Sequence, residues 1–329
     1  MKLSSKDKLR LFYDRFSATD QALIVINADP DSIASAMAVK RLLWRKVSGV
    51  SISNINIVKR PDNLAMIKLL GVNMIHVDKI DQADFNKFII VDSQPDHNER
   101  FLKFKFDVVV DHHPDTKPLI SFQDIRPNYG ATSSIMTEYL RKAKIKPSTK
   151  LATGLFYAIK TDTNNFERQT LIEDLKAFQF LFRRINVYLA RKIELSEFSI
   201  EFLKYFKTAF SNMKKRKGRI FAHLGHVINP DVCVLIADFY MRISNVLWSI
   251  VSGVYANKLI IIIRNDGLRK NAGNVVKASF GNIGSAGGHK SMARAEIMLS
   301  DLEDFAKIED EKRIQNWIIH RIESHSGKK

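Results

Sequence analysis

The sequence predicts an α/β protein: a parallel-sheet domain, a helical linker and a smaller α/β domain. Three observations carry this. Short unalternated Val/Ile runs are separated by helical patterns over residues 20–162. Such runs read as strands of a parallel sheet covered on both faces. Acidic residues and histidines sit where those runs end. Finally, residues 167–217 lack Gly and Pro and read as helical, after which the pattern returns to strands.

The first element is "KDKLRLFYDRF" (6–16), an amphipathic helix whose interspersed charges do not suit a signal peptide. The strand candidates follow as "ALIVI" (22–26), "INIV" (55–58), "NMIHV" (73–77), "KFIIVD" (87–92) and "FDVVVD" (106–111). Helical candidates are 32–47, 62–70, 132–143 and 151–161. Beyond Gly218, "RIFAHLG", "VCVLIADF", "KLIIIIRN" and "VVKASF" read as strands and 241–256 as a helix. The tail "SHSGKK" reads as disordered. The expected domains are 1–190, a linker over 191–217, and 218–329.

Composition narrows the class. The 329 residues are 45% hydrophobic and 26% charged, as in a globular protein with a core. No apolar run nears the ~20 residues that span a bilayer, so no membrane association is expected. Cys233 is the single cysteine, which excludes an internal disulfide and suggests a cytoplasmic chain. The net charge of +17 points to an anionic partner. The basic run "KKRKGR" (214–219) reads as a solvated face or a phosphate-backbone contact.

Ligands of parallel sheets sit beyond the carboxyl ends of the strands. Here those ends carry Asp29 and Asp31, then Asp92, then "DHH" at 111–113, with Asp162 after a later helix. An Asp before a helix is often only its cap, and that reading applies to Asp31. Carboxylates with imidazole and no thiolate favour Mn²⁺ or Mg²⁺. Two such ions sharing a carboxylate suit phosphoester cleavage. "GATSSIMTEYL" (130–140) begins a helix, and plain capping is the expectation there over anion binding. His76, His97, His223 and His226 show no partner pattern and read as structural or surface residues.

In this order, "NADPDSIASA", "VDSQP", "DHHP" and "ATGLFYAIKTDTNNF" resemble the motifs of the DHH phosphoesterase superfamily. "GSAGGHKSMARA" (284–295) resembles the glycine-histidine motif of its DHH-associated C-terminal domain. The subgroup resembled contains oligoribonucleases and 3′-phosphoadenosine 5′-phosphate phosphatases. The resemblance implies that Asp29 binds a first ion, that Asp31, His112 and Asp162 bind a second, and that Asp92 bridges both. It implies that His113 meets the scissile phosphate, and that Arg264, Gly287, Gly288 and His289 grip the substrate's phosphate end. Glycines let backbone approach phosphate, and a guanidinium fork suits it. Most members carry His four residues before the first acid, where this chain has Val25; exonuclease-like members carry Asp at the position of Asn27. The implied outcome is two Mn²⁺ or Mg²⁺ ions, with the first site weakened by Val25.

The expected function is hydrolysis of short RNA or DNA oligonucleotides or small nucleotides. A single-strand exonuclease, a cyclic-dinucleotide phosphodiesterase and a nucleotide- or RNA-binding protein with an impaired centre stay open. So does a homodimer.

Overall fold

The computed structural model describes residues 3–167, 170–195, 200–302 and 311–326. The chain divides into two compact units, Met1–Glu197 and Phe198–Lys329.

The first unit opens with α1 (Ser5–Tyr13), which buries Leu9 and Phe12. Then follow β1 (Gln21–Ile26), α2 (Pro30–Leu43), β2 (Gly49–Asn54), α3 (Pro61–Leu70), β3 (Ile75–His76), β4 (Lys87–Val91), β5 (Val108–Asp111) and β6 (Phe122–Ile125). Four helices finish it: α4 (Thr132–Lys142), α5 (Thr149–Asp162), α6 (Ile172–Phe182) and α7 (Val187–Glu194). The strands form one parallel sheet in the order β3-β2-β1-β4-β5-β6. "INIV" is not a strand: pairing with β1 ends at Asn54, and Ile57 is exposed. β6 carries no long apolar run, so the sequence pattern passed over it.

The pleat explains the unalternated runs. Ile24 and Ile26 join the core beneath α2 and α5. Leu23 and Val25 join the opposite layer with Ile90, Val109, Phe101 and Phe104. Both faces are apolar, so both parities along β1 must be apolar. The strand order reverses beside β1, between β2 and β4, and a parallel sheet opens a crevice at such a point. Asp29 and Asp31 follow β1, and Asp92 follows β4.

The second unit contains α8 (Leu203–Ser211), β7 (Lys214–Arg216), β8 (Arg219–His226), α9 (Asp231–Tyr240), β9 (Trp248–Tyr255), β10 (Lys258–Asn265), α10 (Ala272–Phe280), β11 (Ser285–Gly288), β12 (Met292–Met298) and α11 (Glu311–Ser326). Its sheet has the order β11-β12-β10-β9-β8-β7; only β8 and β9 pair in parallel.

Three expectations are corrected here. "VCVLIADF" is the helix α9, burying Val232, Cys233, Ile236, Ala237 and Tyr240 at helical spacing. "VVKASF" lies in α10. Residues 248–255, expected to be helical, form the central strand β9, whose buried run has no period that separates strand from helix. The basic run "KKRKGR" is β7 and a two-residue turn, with Lys217 and Gly218 both at positive φ, as hairpins prefer. Of the tail, Ser324 and His325 belong to α11, and 327–329 lie outside the described residues.

Candidate metal centre

Asp29 is the N-cap of α2. Its Oδ1 accepts from the Ser32 amide at 2.8 Å, and its own amide donates to Ser32 Oγ at 3.0 Å. Asp31, for which capping of α2 is the alternative to metal binding, does not cap α2. Its Oδ2 accepts from the Thr132 amide at 2.6 Å and its Oδ1 from the Ser133 amide at 2.8 Å. Those are the first amides of α4, whose N-cap residue, Ala131, supplies no side-chain bond. The start of α4 is therefore capped by the Asp31 carboxylate, which takes the place an external anion could occupy.

Asp92 is buried and adopts φ 59°, a left-handed conformation uncommon outside glycine. Thr132 Oγ1 donates to its Oδ1 at 2.9 Å. Beside it, His112 Nδ1 lies 3.0 Å from the Tyr129 carbonyl oxygen. That carbonyl can only accept, so Nδ1 carries a proton and Nε2 faces the carboxylates. Nε2 is 3.1 Å from Asp162 Oδ2 and 3.5 Å from Asp92 Oδ1. Asp31, His112 and Asp162 present ligand atoms within 4.8 Å of one another, as do Asp92, His112 and His113. Asp29 belongs to no such group among the described residues.

His113 Nδ1 is 2.8 Å from Oδ1 of the fully buried Asp111. Asp111 also accepts from the His112 amide at 2.8 Å and from Gln94 Nε2 at 2.7 Å. Against its burial, the bonds from His113 and Gln94 hold Asp111 below the usual carboxylate range. This fixes the His113 ring and leaves its Nε2 free of Asp111.

The sequence missed four supports. His97, read as a structural or surface residue, meets the His113 ring edge-on at 5.5 Å. Gln94 ties Asp111 to the loop at Pro114 and Thr116. Asn56 brackets Ala28, accepting from its amide at 2.7 Å and donating to its carbonyl at 3.0 Å. Tyr129 acts through its carbonyl, for which no side-chain signal exists. Val25 is fully buried in its apolar layer and offers no donor atom. Asn27 is exposed.

The donor set fits a hard divalent cation. Burial raises the Asp31 carboxyl to about 6, with the charge of Asp162 adding to it. Burial also raises Asp92 well above its ordinary range, reinforced by Asp31, Asp29 and Asp162. At Asp29, burial and then Asp162 outweigh the Ser32 bonds. Burial disfavours a charged His112, yet Asp162 and Asp31 carry its imidazole up to about 9. Without a cation, the His112 proton offsets the charge of Asp31 and Asp162. An ion would replace that proton and neutralise the cluster.

A pH dependence follows. All these groups have folded values above their unfolded ones. Their contribution to stability is therefore full below the unfolded values and is lost as pH rises through the folded ones. The Tm of chelator-treated protein should fall from the ordinary carboxylate range through the Asp31 value of about 6 and on to the His112 value of about 9. Saturating Mn²⁺ should flatten that decline. Thermal scans in EDTA and in Mn²⁺ measure it; a Tm that is level or rises in EDTA over this range contradicts the account.

In the second unit, Arg264 Nε lies 2.6 Å from Asp238 Oδ1. Gly288 has φ 154°, and a Cβ there would meet the Met292 carbonyl oxygen at 2.4 Å. The carbonyls of Lys290 and His289 accept from Ala272 and Gly273, at the start of α10. The His289 amide is taken by Met292. This loop thus uses its backbone for structure and leaves the exposed His289 and Lys290 side chains as donors. Gly287 lies in β11 with open space around it.

Residues 21–159 match the DHH family, N-terminal domain. An uncharacterized protein of Methanocaldococcus jannaschii is 34% identical over 293 residues, which is 87% of this chain. The chain spans 60% of that relative's length. An exopolyphosphatase-related protein from Bacteroides fragilis superposes with a TM-score of 0.71 at 16% identity, covering 97% of this chain and 99% of that one. The exonuclease RecJ bound to manganese gives 0.52 at 10% identity, covering 100% and 96%. These two likenesses show the fold.

Proposed function

Because residues 21–159 are a DHH family N-terminal domain, we propose that the protein is a metal-dependent phosphoesterase acting on short oligonucleotides or small nucleotides. DHH family members are phosphoester hydrolases. The observation that carries the reading is the convergence of Asp31, Asp92, His112 and Asp162 beside a buttressed His113.

Asp31, Asp92, His112 and Asp162 would hold Mn²⁺ or Mg²⁺, with Asp29 and Asp92 contributing to a second ion. When bound, such ions activate water and offset charge on the phosphoryl oxygens. The chain's own residues do the rest. The α4 amides fix both oxygens of Asp31, Thr132 orients Asp92, and the Tyr129 carbonyl sets the His112 tautomer. His113, held at Nδ1 by Asp111, leaves Nε2 to contact the scissile phosphate or assist proton transfer. Arg264, His289 and the 287–288 glycines are our proposed phosphate grip, which would favour very short chains.

The test is a substrate panel with Mn²⁺: two- to twenty-nucleotide RNA and DNA, a cyclic dinucleotide and 3′-phosphoadenosine 5′-phosphate. Fastest turnover of the shortest members supports the reading. Binding without turnover of any member contradicts it and favours an impaired binding protein.

Two further outcomes are expected. Removing Arg264 or His289 should raise KM for a dinucleotide ~10- to 100-fold, since a charge-assisted hydrogen bond is worth ~1.5–3 kcal/mol. Steady-state kinetics would show it, and an unchanged KM in both variants removes the second unit from recognition. The ions should also differ in affinity, because Val25 supplies no nitrogen ligand. Calorimetry should resolve one tight and one weak Mn²⁺, with activity still climbing after the first saturates. Two equally tight ions would mean that another residue completes the site.

A further inference from the structure

A cavity of about 420 Å³ lies in the first unit, at the far ends of α2 and α5 from the carboxylates. α2 starts beside Asp29 and Asp31 and runs 14 residues, so its last turn lies roughly 14–18 Å along the helix from Asp31. Small-molecule sites typically occupy ~300–1,000 Å³.

The floor of the cavity is apolar, made by Met37, Ile52, Val72 and Leu151. Its rim carries Lys40, Arg41, Trp44 and Asn73. No carboxylate lines it, and no described acid forms an ion pair with Lys40, Arg41 or Arg45. The Lys150 ammonium lies near Gly71, another lining residue. Several cations thus converge on one apolar hollow, and among the described residues no acid lines it or pairs with Lys40 or Arg41.

Trp44 is the second unusual feature. Its side chain is 56% exposed, so burial does not account for an indole here. The Arg41 and Arg45 guanidinium carbons lie 4.9 Å and 4.4 Å from the ring centroid. Arg45 reaches it from a left-handed backbone position, φ 60°. An indole flanked by guanidinium groups is a flat platform, and nucleobases stack on both kinds of plane.

We propose that this cavity is a second ligand site, separate from the metal centre, that binds a nucleoside phosphate. The base lies on the Trp44–arginine platform over the apolar floor. The Asn73 amide reads a base edge, and Lys40 and Arg41 take the phosphate. A free phosphate would leave the indole and floor unused. A neutral apolar molecule would leave the cations unused.

Tryptophan fluorescence reports the site directly. Of the three tryptophans, Trp248 and Trp317 belong to the second unit, so subtracting the signal of the Trp44→Leu chain isolates Trp44. The full-length protein in EDTA is titrated with adenosine 5′-monophosphate, adenosine and inorganic phosphate. The nucleotide should change the Trp44 signal saturably, and adenosine and phosphate should each bind at least ~10-fold more weakly. Arg41→Gln should weaken the nucleotide ~10-fold or more while leaving dinucleotide hydrolysis within about twofold. Asp92→Asn should leave the Trp44 response unchanged. No saturable response in the millimolar range overturns the proposal, as does equal affinity for inorganic phosphate or unaltered binding by Arg41→Gln. Loss of the response in Asp92→Asn would assign the signal to the metal centre and also overturn it.

Discussion

Asp92→Asn is expected to lower kcat/KM on a dinucleotide by ~10³-fold or more and to raise the Tm of the chelator-treated protein. Both effects have one cause. Asp92 is buried among Asp29, Asp31 and Asp162, and its charge is opposed first by burial and then by theirs. The amide removes that repulsion in the metal-free state. It also removes the carboxylate that we assign to the ions, whose electrostatic help is worth several kcal/mol. Asparagine is the apt substitute because it tolerates the left-handed φ of 59°. Its Oδ1 can still accept from Thr132 Oγ1. Alanine would instead add backbone strain of ~1–2 kcal/mol and blur the result. Kinetics and thermal scans in EDTA separate the two effects. Activity within a few fold of wild type would reject Asp92 as a ligand. A lower Tm in EDTA would reject the claim that its charge burdens the fold.

The same opposition of stability and chemistry explains what the sequence revealed. Acids at the exits of apolar strands are conspicuous because an apolar core has no use for their charge. Asp31, Asp92, His112 and Asp162 could therefore be read as a set, and the parallel sheet that presents them followed from the unalternated runs. Their supports could not be read in the same way. Tyr129 contributes a carbonyl, and Thr132 and Ser133 contribute amides, groups that every residue has. Asn56 and Gln94 work across the fold, and nothing local marks them. In the second unit, α9 and β9 were exchanged because both are short, apolar and buried. β9 is covered on both faces, with Ile250 and Val254 in one core cluster and Val251 in another, so buried and exposed residues do not alternate along it. Only the spacing of Val232, Cys233, Ile236, Ala237 and Tyr240 identifies the neighbouring helix.

Arg126→Met is expected to destabilise the protein by ~3–5 kcal/mol, the usual cost of breaking a buried ion pair from one side. Arg126 lies in "FQDIRPNYG", a stretch with no motif, and its side chain is only 11% exposed. Its Nε and Nη2 donate to Asp124 at 2.7–3.0 Å, and its Nη1 donates to Glu138 at 2.8 Å. The Tyr129 hydroxyl donates to Glu138 at 2.7 Å, and that of Tyr139 donates to Asp124 at 2.8 Å. Lys8 also pairs with Asp124, so Asp124 would keep one cation and Glu138 would lose its only ion-pair partner among the described residues. The network matters to the metal centre because it anchors the turn whose Tyr129 carbonyl receives the His112 Nδ1 proton. Freed from Arg126, that carbonyl no longer fixes the ring, and Mn²⁺ affinity should fall ~10- to 100-fold, as when outer supports of metal ligands are removed. Arg126→Lys should fall between, keeping the charge and losing the planar fork. Urea unfolding in EDTA measures the first effect and calorimetric Mn²⁺ titration of folded protein the second. A stability loss below about 1 kcal/mol would show that Lys8 and solvent satisfy both acids. Unchanged Mn²⁺ affinity in a destabilised Arg126→Met would show that the Tyr129 turn holds His112 without the network.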